Sequence, residues 1–415
     1  MPRVKAFRAV RPKPENAAAV ASVPYDVVNR DEAVALAEGN AMSFLHVIRP
    51  DIDLPADTDP YADEIYTKAA DNLRSFISDD VLQQDDSESI FLYRQIMNGK
   101  AQVGVVCCCH IDDYENNLIL KHEFTRPAKE DDRTRHVTTL AAHAGPVFLT
   151  YRDNENLNTQ VAQAITSDPL YDFTAPDGVQ HTVWKIDSPE SYLAELGSVS
   201  AFYVADGHHR AASAWRAGKQ RRDANENHTG DEEYNWFLTV LFPESELKIL
   251  AYNRIIKDLG GMSAADVLQK LAEVGSVELT DNPIPDASGS FCIYLAKQWY
   301  RLTVPADTID QNDTINRLDV AILEKRVIAP IFGINDVRTD PRIDFVGGIR
   351  GTDELEKRVD SGDWAFAVSM YPTSIEQLMA VSDAGEVMPP KSTWFEPKLR
   401  SGLICLLYTS DAADE

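Results

Sequence analysis

Residues 202–218, a strand-like segment followed closely by a helix-like one, constrain the fold of this chain more than any other stretch. Residues 202–206 are apolar and rich in strand-forming types, so they predict a buried β-strand. Residues 210–218 are rich in alanine and finish at Gly218, a residue type common where helices end. A strand that leads directly into a helix indicates an α/β fold.

The turn between this strand and helix contains five residues that are suited to binding or catalysis, namely Asp206, Gly207, His208, His209 and Arg210. A glycine permits a tight turn, and a helix N-terminus offers free N–H groups at the positive end of its dipole. With two imidazoles and a guanidinium added, the turn predicts a phosphate-binding site. The alternative is a junction whose histidines only cap the helix.

Composition limits the classes of partner. The chain has 415 residues, enough for one or two domains, with 44% hydrophobic and 26% charged residues, as in ordinary globular proteins. Its net charge of −26 argues against a nucleic-acid partner, because such binding depends on Lys and Arg neutralising phosphates. A small anion in a locally positive pocket is still compatible with this charge.

The five cysteines do not suggest a metal or disulfide framework. Three are adjacent, at 107–109, so their side chains alternate between the faces of an apolar run and cannot share one metal. No C-x-x-C pair occurs. The first residues do not resemble a signal peptide and no apolar run reaches membrane-spanning length, so we expect a cytoplasmic protein with reduced thiols and no membrane partner.

A second informative stretch is the pair His122-Glu123, which precedes a dense run of charged residues from Arg126 to His136. Charged runs usually mark a solvated helix start, and that interpretation is open here. The other interpretation is that the pair belongs to an active site.

A third stretch, Lys391-Ser392-Thr393, follows two prolines. It can offer an ammonium group and two hydroxyls to a carboxylate or a phosphate. The alternative is a proline-rich turn that fixes the chain end.

These three stretches, in this order, resemble the free serine kinases of the ParB-like superfamily. In those kinases the turn has the same Asp-Gly-His-His-Arg signature, and a glutamate in a His-Glu pair, matched here by Glu123, is the catalytic base. A Ser-Pro-Lys-Thr-Thr run helps to bind their substrate. Here Met388-Pro389 replaces its first serine, and Ser392 replaces its first threonine. The full-length pattern is similar to a bacterial and archaeal family known as a domain of unknown function.

The resemblance implies a ParB-like α/β core with a mixed sheet, and transfer of a phosphoryl group from ATP or ADP to the hydroxyl of free L-serine. The implied roles cover proton transfer, phosphate and nucleotide binding, metal binding and substrate binding. The implied catalytic residues are Glu123, His122, Asp206, His208 and His209, with Asp206 orienting a histidine or Mg²⁺. Phosphate and nucleotide binding fall to Gly207, His208, His209, Arg210 and Arg126, and serine binding falls to Lys391, Ser392 and Thr393. Mg²⁺ is inferred from the chemistry alone.

Several alternatives stay open. The chain could be a ParB-like nucleotide-dependent DNA-binding regulator, against which its charge argues, or a non-catalytic protein that binds a phosphate ligand. Pyrophosphate as donor, a related small alcohol as acceptor, and the oligomeric state are also undecided.

For the domains we expect an N-terminal α/β extension at 1–100, a catalytic core at 101–256, an inserted α/β lobe at 257–335, and residues 336–404 completing the core. The resemblance does not cover the extension or the inserted lobe. Residues 405–415 resemble the translation of a sequencing-library transposon adapter, so we exclude them from the fold and expect the native C-terminus to be lost after Ile404.

Four local predictions bear on the site or fold. Residues 43–48 suggest a strand, and Asn98-Gly99 suggests a hairpin turn. The turn around Tyr25 could line a pocket. Asn253 and Arg254, polar residues in an apolar strand, suggest either a ligand contact or a structural ion pair.

Overall fold

The computed structural model describes residues 1–408. It has a mixed α/β fold with a large mixed sheet, which confirms the predicted fold class. The chain forms two compact units. Unit 1 comprises Met1–Lys121, Thr125–Leu247 and the residues from Pro397 on, and unit 2 comprises His122–Phe124 and Lys248–Glu396.

The strands of the described residues are numbered in chain order. They are β1 Val4–Lys5, β2 Ala9–Pro12, β3 Leu82–Gln84, β4 Ile90–Met97, β5 Lys100–His110, β6 Ile119–Leu120, β7 Ala142–His143, β8 Val147–Tyr151, β9 Tyr171–Thr174, β10 Gln180–Ile186, β11 Phe202–Asp206, β12 Trp236–Pro243, β13 Ile249–Leu250, β14 Tyr252–Ile256, β15 Ser276–Leu279, β16 Ser290–Leu295, β17 Gln298–Thr303, β18 Ile343–Gly347, β19 Phe366–Ser369, β20 Trp394–Phe395 and β21 Cys405–Leu407.

The α-helices are numbered in the same way. They are α1 Ala17–Val20, α2 Arg30–Ala37, α3 Leu45–Ile48, α4 Asp63–Ser78, α5 Ile111–Glu115, α6 Pro127–Leu140, α7 Glu155–Ala164, α8 Glu190–Ser198, α9 His208–Ala224, α10 Ala264–Ala272, α11 Asp319–Leu323, α12 Ala329–Phe332, α13 Asp353–Asp360 and α14 Ile375–Asp383. A π-helical turn, Glu324–Ile328, joins α11 to α12. Within residues 1–408, no helix is long and apolar enough to cross a membrane.

Unit 1 is built on a nine-stranded sheet in the order β6-β11-β8-β12-β5-β4-β10-β9, with β1 added beside β5. Strand β12 runs parallel to β8 and antiparallel to β5, so the sheet is mixed. The predicted hairpin is confirmed, because β4 and β5 pair across Asn98 and Gly99, both of which have positive φ as a type I′ turn requires. The three adjacent cysteines of β5 are fully buried in this sheet.

A smaller sheet of unit 1 has the order β3-β2-β21-β7. Its strand β21 is Cys405–Leu407, which we had expected to lie outside the fold. Sheet pairing uses backbone groups that every residue type except proline supplies in full, so this position does not bear on the origin of the segment. Residues 409–415 of the adapter-like segment lie outside the described residues.

Unit 2 contains a six-stranded antiparallel sheet in the order β15-β17-β16-β19-β14-β18 and a separate β13-β20 pair. The six-stranded sheet combines strands from 252–303 with strands from 343–369. Residues 257–335 therefore share one unit with 336–396, rather than forming an inserted lobe. Residues 1–100 likewise contribute β1 and β4 to the large sheet of unit 1 rather than forming an extension.

Two local predictions were wrong. Within residues 43–48, Leu45–Ile48 form helix α3 rather than a strand, since a short apolar run does not distinguish the two. Helix α9 continues past Gly218 to Ala224. A Cβ at Gly218 would lie 2.3 Å from the carbonyl oxygen of Tyr234, so this glycine permits close packing and does not end the helix.

Candidate functional site

The turn from β11 to α9 lies in unit 1 and has the predicted form. Strand β11 ends at Asp206, and Gly207 is the N-cap of α9 with φ 89° and ψ 35°. No side chain among residues 1–408 caps this N-terminus, and the positive end of a helix dipole attracts an anion. A Cβ at Gly207 would lie 3.0 Å from Arg210 Nε, so both backbone conformation and space favour glycine here.

Asp206 is held between two cations. Its Oδ2 accepts a hydrogen bond of 3.1 Å from Arg210, and its Oδ1 lies 3.5 Å from Lys398 Nζ. Burial opposes ionisation, but Lys398, Arg210 and His208 outweigh it and lower the pKa of this carboxyl to about 2. Because both carboxylate oxygens face cations, Asp206 orients the turn, and the metal-ligand role that we expected for it stays a prediction.

The basic groups of the turn are fixed by backbone contacts. The Arg210 side chain is 11% exposed and donates to the carbonyl of Pro146, while its buried Nε has no hydrogen-bond partner among the described residues. The backbone N–H of Arg126 donates to His209 Nε2 at 3.0 Å, which places the imidazole proton on Nδ1. His208 is buried, and the Arg126 side chain is exposed.

An open pocket of unit 1, enclosing about 490 Å³ of empty space with open solvent included, lies beside Arg210. It is lined by Pro24, Tyr25, Ile48, Arg133, His136, Val137, His143, Ala144, Gly145, Val147, Arg210, Ser213 and Ser401. The Arg133 guanidinium lies over the Tyr25 ring at 4.2 Å, so the expected pocket at the tyrosine turn is present. Burial lowers the pKa of both His136 and His143 to about 3, which leaves two arginines as the cations of the lining.

Unit 2 brings the second and third stretches together, although they are 271 residues apart in sequence. The Nε2 of His122 lies 3.2 Å from Thr393 Oγ1, within hydrogen-bond distance. The backbone N–H of Met388 donates to the His122 carbonyl at 2.9 Å. His122 is buried, and Glu123, the next residue in the chain, is partly exposed.

The Lys-Ser-Thr run is a tightly held turn. Ser392 is buried and its hydroxyl donates to the Pro389 carbonyl at 2.6 Å, so this hydroxyl holds the turn instead of facing a ligand. The Thr373 hydroxyl donates to the Ser392 carbonyl at 2.9 Å. Lys391 has a φ of 59°, a left-handed conformation that costs a non-glycine residue about 1–2 kcal/mol. Its Nζ lies 5.3 Å from the Tyr252 ring centre.

The two polar residues of β14 have different roles. Asn253 Oδ1 accepts a hydrogen bond of 3.0 Å from the Met370 backbone, so this side chain is structural. Arg254 donates to the carbonyl of Lys391 at 3.1 Å and makes no ion pair within the described residues, so the structural ion pair that we considered is not found.

Residues 4–321 match a family described as "Protein of unknown function (DUF1015)". The chain belongs to this family. No curated protein matches it significantly.

Similar solved structures include "Free serine kinase in complex with AMP", at 12% identity and a TM-score of 0.36, covering 72% of this chain and 91% of that chain. SbnI with a C-terminal truncation, from Staphylococcus aureus, is 12% identical with a TM-score of 0.40, covering 75% and 90%. A conserved hypothetical protein from Pyrococcus furiosus is 12% identical with a TM-score of 0.35, covering 72% and 95%. Likeness at this level does not establish a function.

Sequence reasoning missed two contributors to these surroundings. Lys398 pairs with Asp206, and Arg133 lines the pocket. Lys398 and Arg133 carry no local signal, because a single cation in a charged stretch usually faces water.

Proposed function

We propose that this protein is a kinase that transfers a phosphoryl group from ATP or ADP to the hydroxyl of free L-serine, giving O-phospho-L-serine. The observation that carries the proposal is the contact in unit 2 between His122, the residue before Glu123, and Thr393 of the Lys-Ser-Thr run. An acid–base residue beside a turn with a lysine and a threonine is the arrangement that a small zwitterionic alcohol needs.

In this proposal Glu123 accepts the proton of the serine hydroxyl. The hydroxyl oxygen forms a bond to the terminal phosphorus of the nucleotide, the bond from that phosphorus to the bridging oxygen breaks, and the shortened nucleotide leaves. His122 positions the base, since its ring is buried and lies within hydrogen-bond distance of Thr393. Lys391 and Thr393 hold the serine, while Ser392 keeps the turn in shape.

The phosphate-binding part of the proposal rests on unit 1. The N-terminus of α9, the two histidines and Arg210 offer N–H donors and positive charge to phosphate oxygens. Arg126 adds a cation from an exposed position. The adjoining pocket is lined mainly by apolar side chains and by Arg210 itself, so we assign the nucleoside of the donor to it.

Phosphoryl transfer depends mostly on positioning and charge neutralisation, so few residues need to react chemically. When bound, Mg²⁺ supplies charge neutralisation to the phosphates. We propose that it arrives with the nucleotide, because phosphate-bound Mg²⁺ requires few protein ligands and Asp206 already faces two cations.

The proposal is tested by incubating the full chain and Mg²⁺ with L-serine and, separately, ATP, ADP or pyrophosphate, followed by phosphorus NMR. We expect a phosphomonoester signal that matches O-phosphoserine with ATP or ADP. Pyrophosphate lacks the nucleoside that the pocket is assigned to hold, so we expect it to be a poorer donor. Absence of a new phosphomonoester with all three donors contradicts the kinase assignment.

A further inference from the structure

Three arginines are buried among the described residues, and one of them lacks a carboxylate partner. Arg11 is paired with Asp85 at 2.7 Å, and Arg400 is paired with Asp177. Arg254 of unit 2 is 4% exposed, yet no carboxylate of the described residues lies within 4.0 Å of it. Because a buried charge is costly unless it is paired, Arg254 is the exception that calls for an anion.

The contacts of Arg254 leave hydrogen-bonding capacity for such an anion. Its guanidinium donates to the carbonyls of Tyr252 and Lys391 and lies 5.2 Å from the Phe345 ring centre. A guanidinium has five N–H donors, and these two carbonyls are the hydrogen-bond partners that the described residues supply. The charge of Glu324 acts on it from beyond ion-pair distance. Burial still lowers the pKa of Arg254 to about 10.

The position of Arg254 indicates which anion is missing. The carbonyl that it binds belongs to Lys391, the first residue of the run to which the proposed function assigns the amino-acid substrate. The guanidinium therefore lies next to this run. The fork of N–H donors in arginine matches the two oxygens of a carboxylate.

We infer that Arg254 binds the carboxylate of the acceptor and thereby selects an amino acid over a simple amino alcohol. This inference rests on the proposed function, because it takes the acceptor site to be at Lys391. It names the substrate class as α-amino acids with a free carboxylate and a side-chain hydroxyl. It also gives strand β14 a role in specificity that its apolar pattern conceals.

The test compares L-serine with ethanolamine, which has the same alcohol and amine but no carboxylate. The Kd of each compound is measured calorimetrically for the full-length protein and for Arg254→Met, with turnover followed in parallel. Because hydrogen bonds to charged groups are strong, we expect Arg254→Met to raise the Kd of L-serine by about 10- to 150-fold. The Kd of ethanolamine should change by no more than about twofold, and Arg254→Lys should recover part of the lost affinity for L-serine.

A matched control comes from Arg11, a buried arginine that already has its carboxylate. We expect Arg11→Met to leave the preference for L-serine over ethanolamine unchanged, although it leaves Asp85 without its arginine and lowers the thermal midpoint. Arg254→Met removes an uncompensated buried charge, so its thermal midpoint should not fall comparably. If the folded Arg254 variants lose the same affinity for both compounds, or lose affinity for neither, Arg254 only supports the turn and the inference is overturned.

The outcome is separable from that of the proposed function. A protein that binds L-serine through Arg254 but phosphorylates neither acceptor contradicts the kinase and supports the inference. A protein that phosphorylates both acceptors equally well, with Arg254 intact, supports the kinase and overturns the inference.

Discussion

Asp206→Asn tests the electrostatic account of the phosphate-binding turn. The substitution keeps the size of the side chain and removes the charge that faces Arg210 and Lys398. The pKa of Asp206 is about 2 in the folded protein, against an ordinary value of 3.8. This difference corresponds to about 2–3 kcal/mol of stability at neutral pH.

The pH dependence of this contribution has a definite sign. Because the folded-state pKa of Asp206 lies below the unfolded value, its contribution is present above about pH 4 and is lost as pH falls through 2. Urea unfolding of the wild type and of Asp206→Asn, measured at several pH values, gives the difference between them. We expect a difference of about 2–3 kcal/mol at pH 7 that shrinks steadily below pH 4. A difference that is absent at pH 7, or that does not change down to pH 2, refutes the reasoning.

Two further substitutions, the first with a matched control, test individual parts of the structure. Gly207→Ala forces alanine to a φ of 89° and crowds Arg210, so we expect a loss of about 1–2 kcal/mol in urea unfolding and weaker nucleotide binding. Gly178→Ala, at φ 81° with open space around the Cβ among the described residues, should lose similar stability with nucleotide affinity unchanged; equal affinities in both variants contradict the assigned role of the turn. Burial raises the pKa of Asp319 to about 6, although hydrogen bonds from Gly289 and Ser288 oppose this rise. The contribution of protonated Asp319 to folding stability is therefore present below about pH 4 and is lost as pH rises through 6. The unfolding free energy of Asp319→Asn should not show this decrease with rising pH, and an identical pH profile in the wild type and the variant contradicts the prediction.

Local patterns predicted the central element well. Strand β11 has the predicted bounds, and the turn begins where the polar residues begin. Such features depend on residues that are neighbours in sequence, so the sequence displays them directly. The end of α9 was misjudged because Gly218 serves a contact with Tyr234, which a helix-stop pattern does not reveal.

Features that depend on contacts between residues far apart in sequence could not be predicted in this way. The boundaries of the units depend on β14, which pairs with strands near residues 343–347 and 366–369, and no local signal announces that partnership. Similarly, Arg254 looked as suited to an ion pair as to a ligand until the structure brought it to the carbonyl of Lys391. The sequence identified the residues of the candidate site better than it identified their surroundings.

The proposed function depends most directly on Glu123. Glu123→Gln keeps the size and hydrogen-bonding capacity of the side chain but cannot accept a proton at neutral pH. The decisive measurement is the rate of O-phosphoserine formation at saturating L-serine and nucleotide, with both binding constants measured on the same samples. Since a general base contributes roughly 10²–10⁴-fold, we predict a fall of that size in kcat with both affinities nearly unchanged. A folded Glu123→Gln protein that turns over at a near-normal rate contradicts the account.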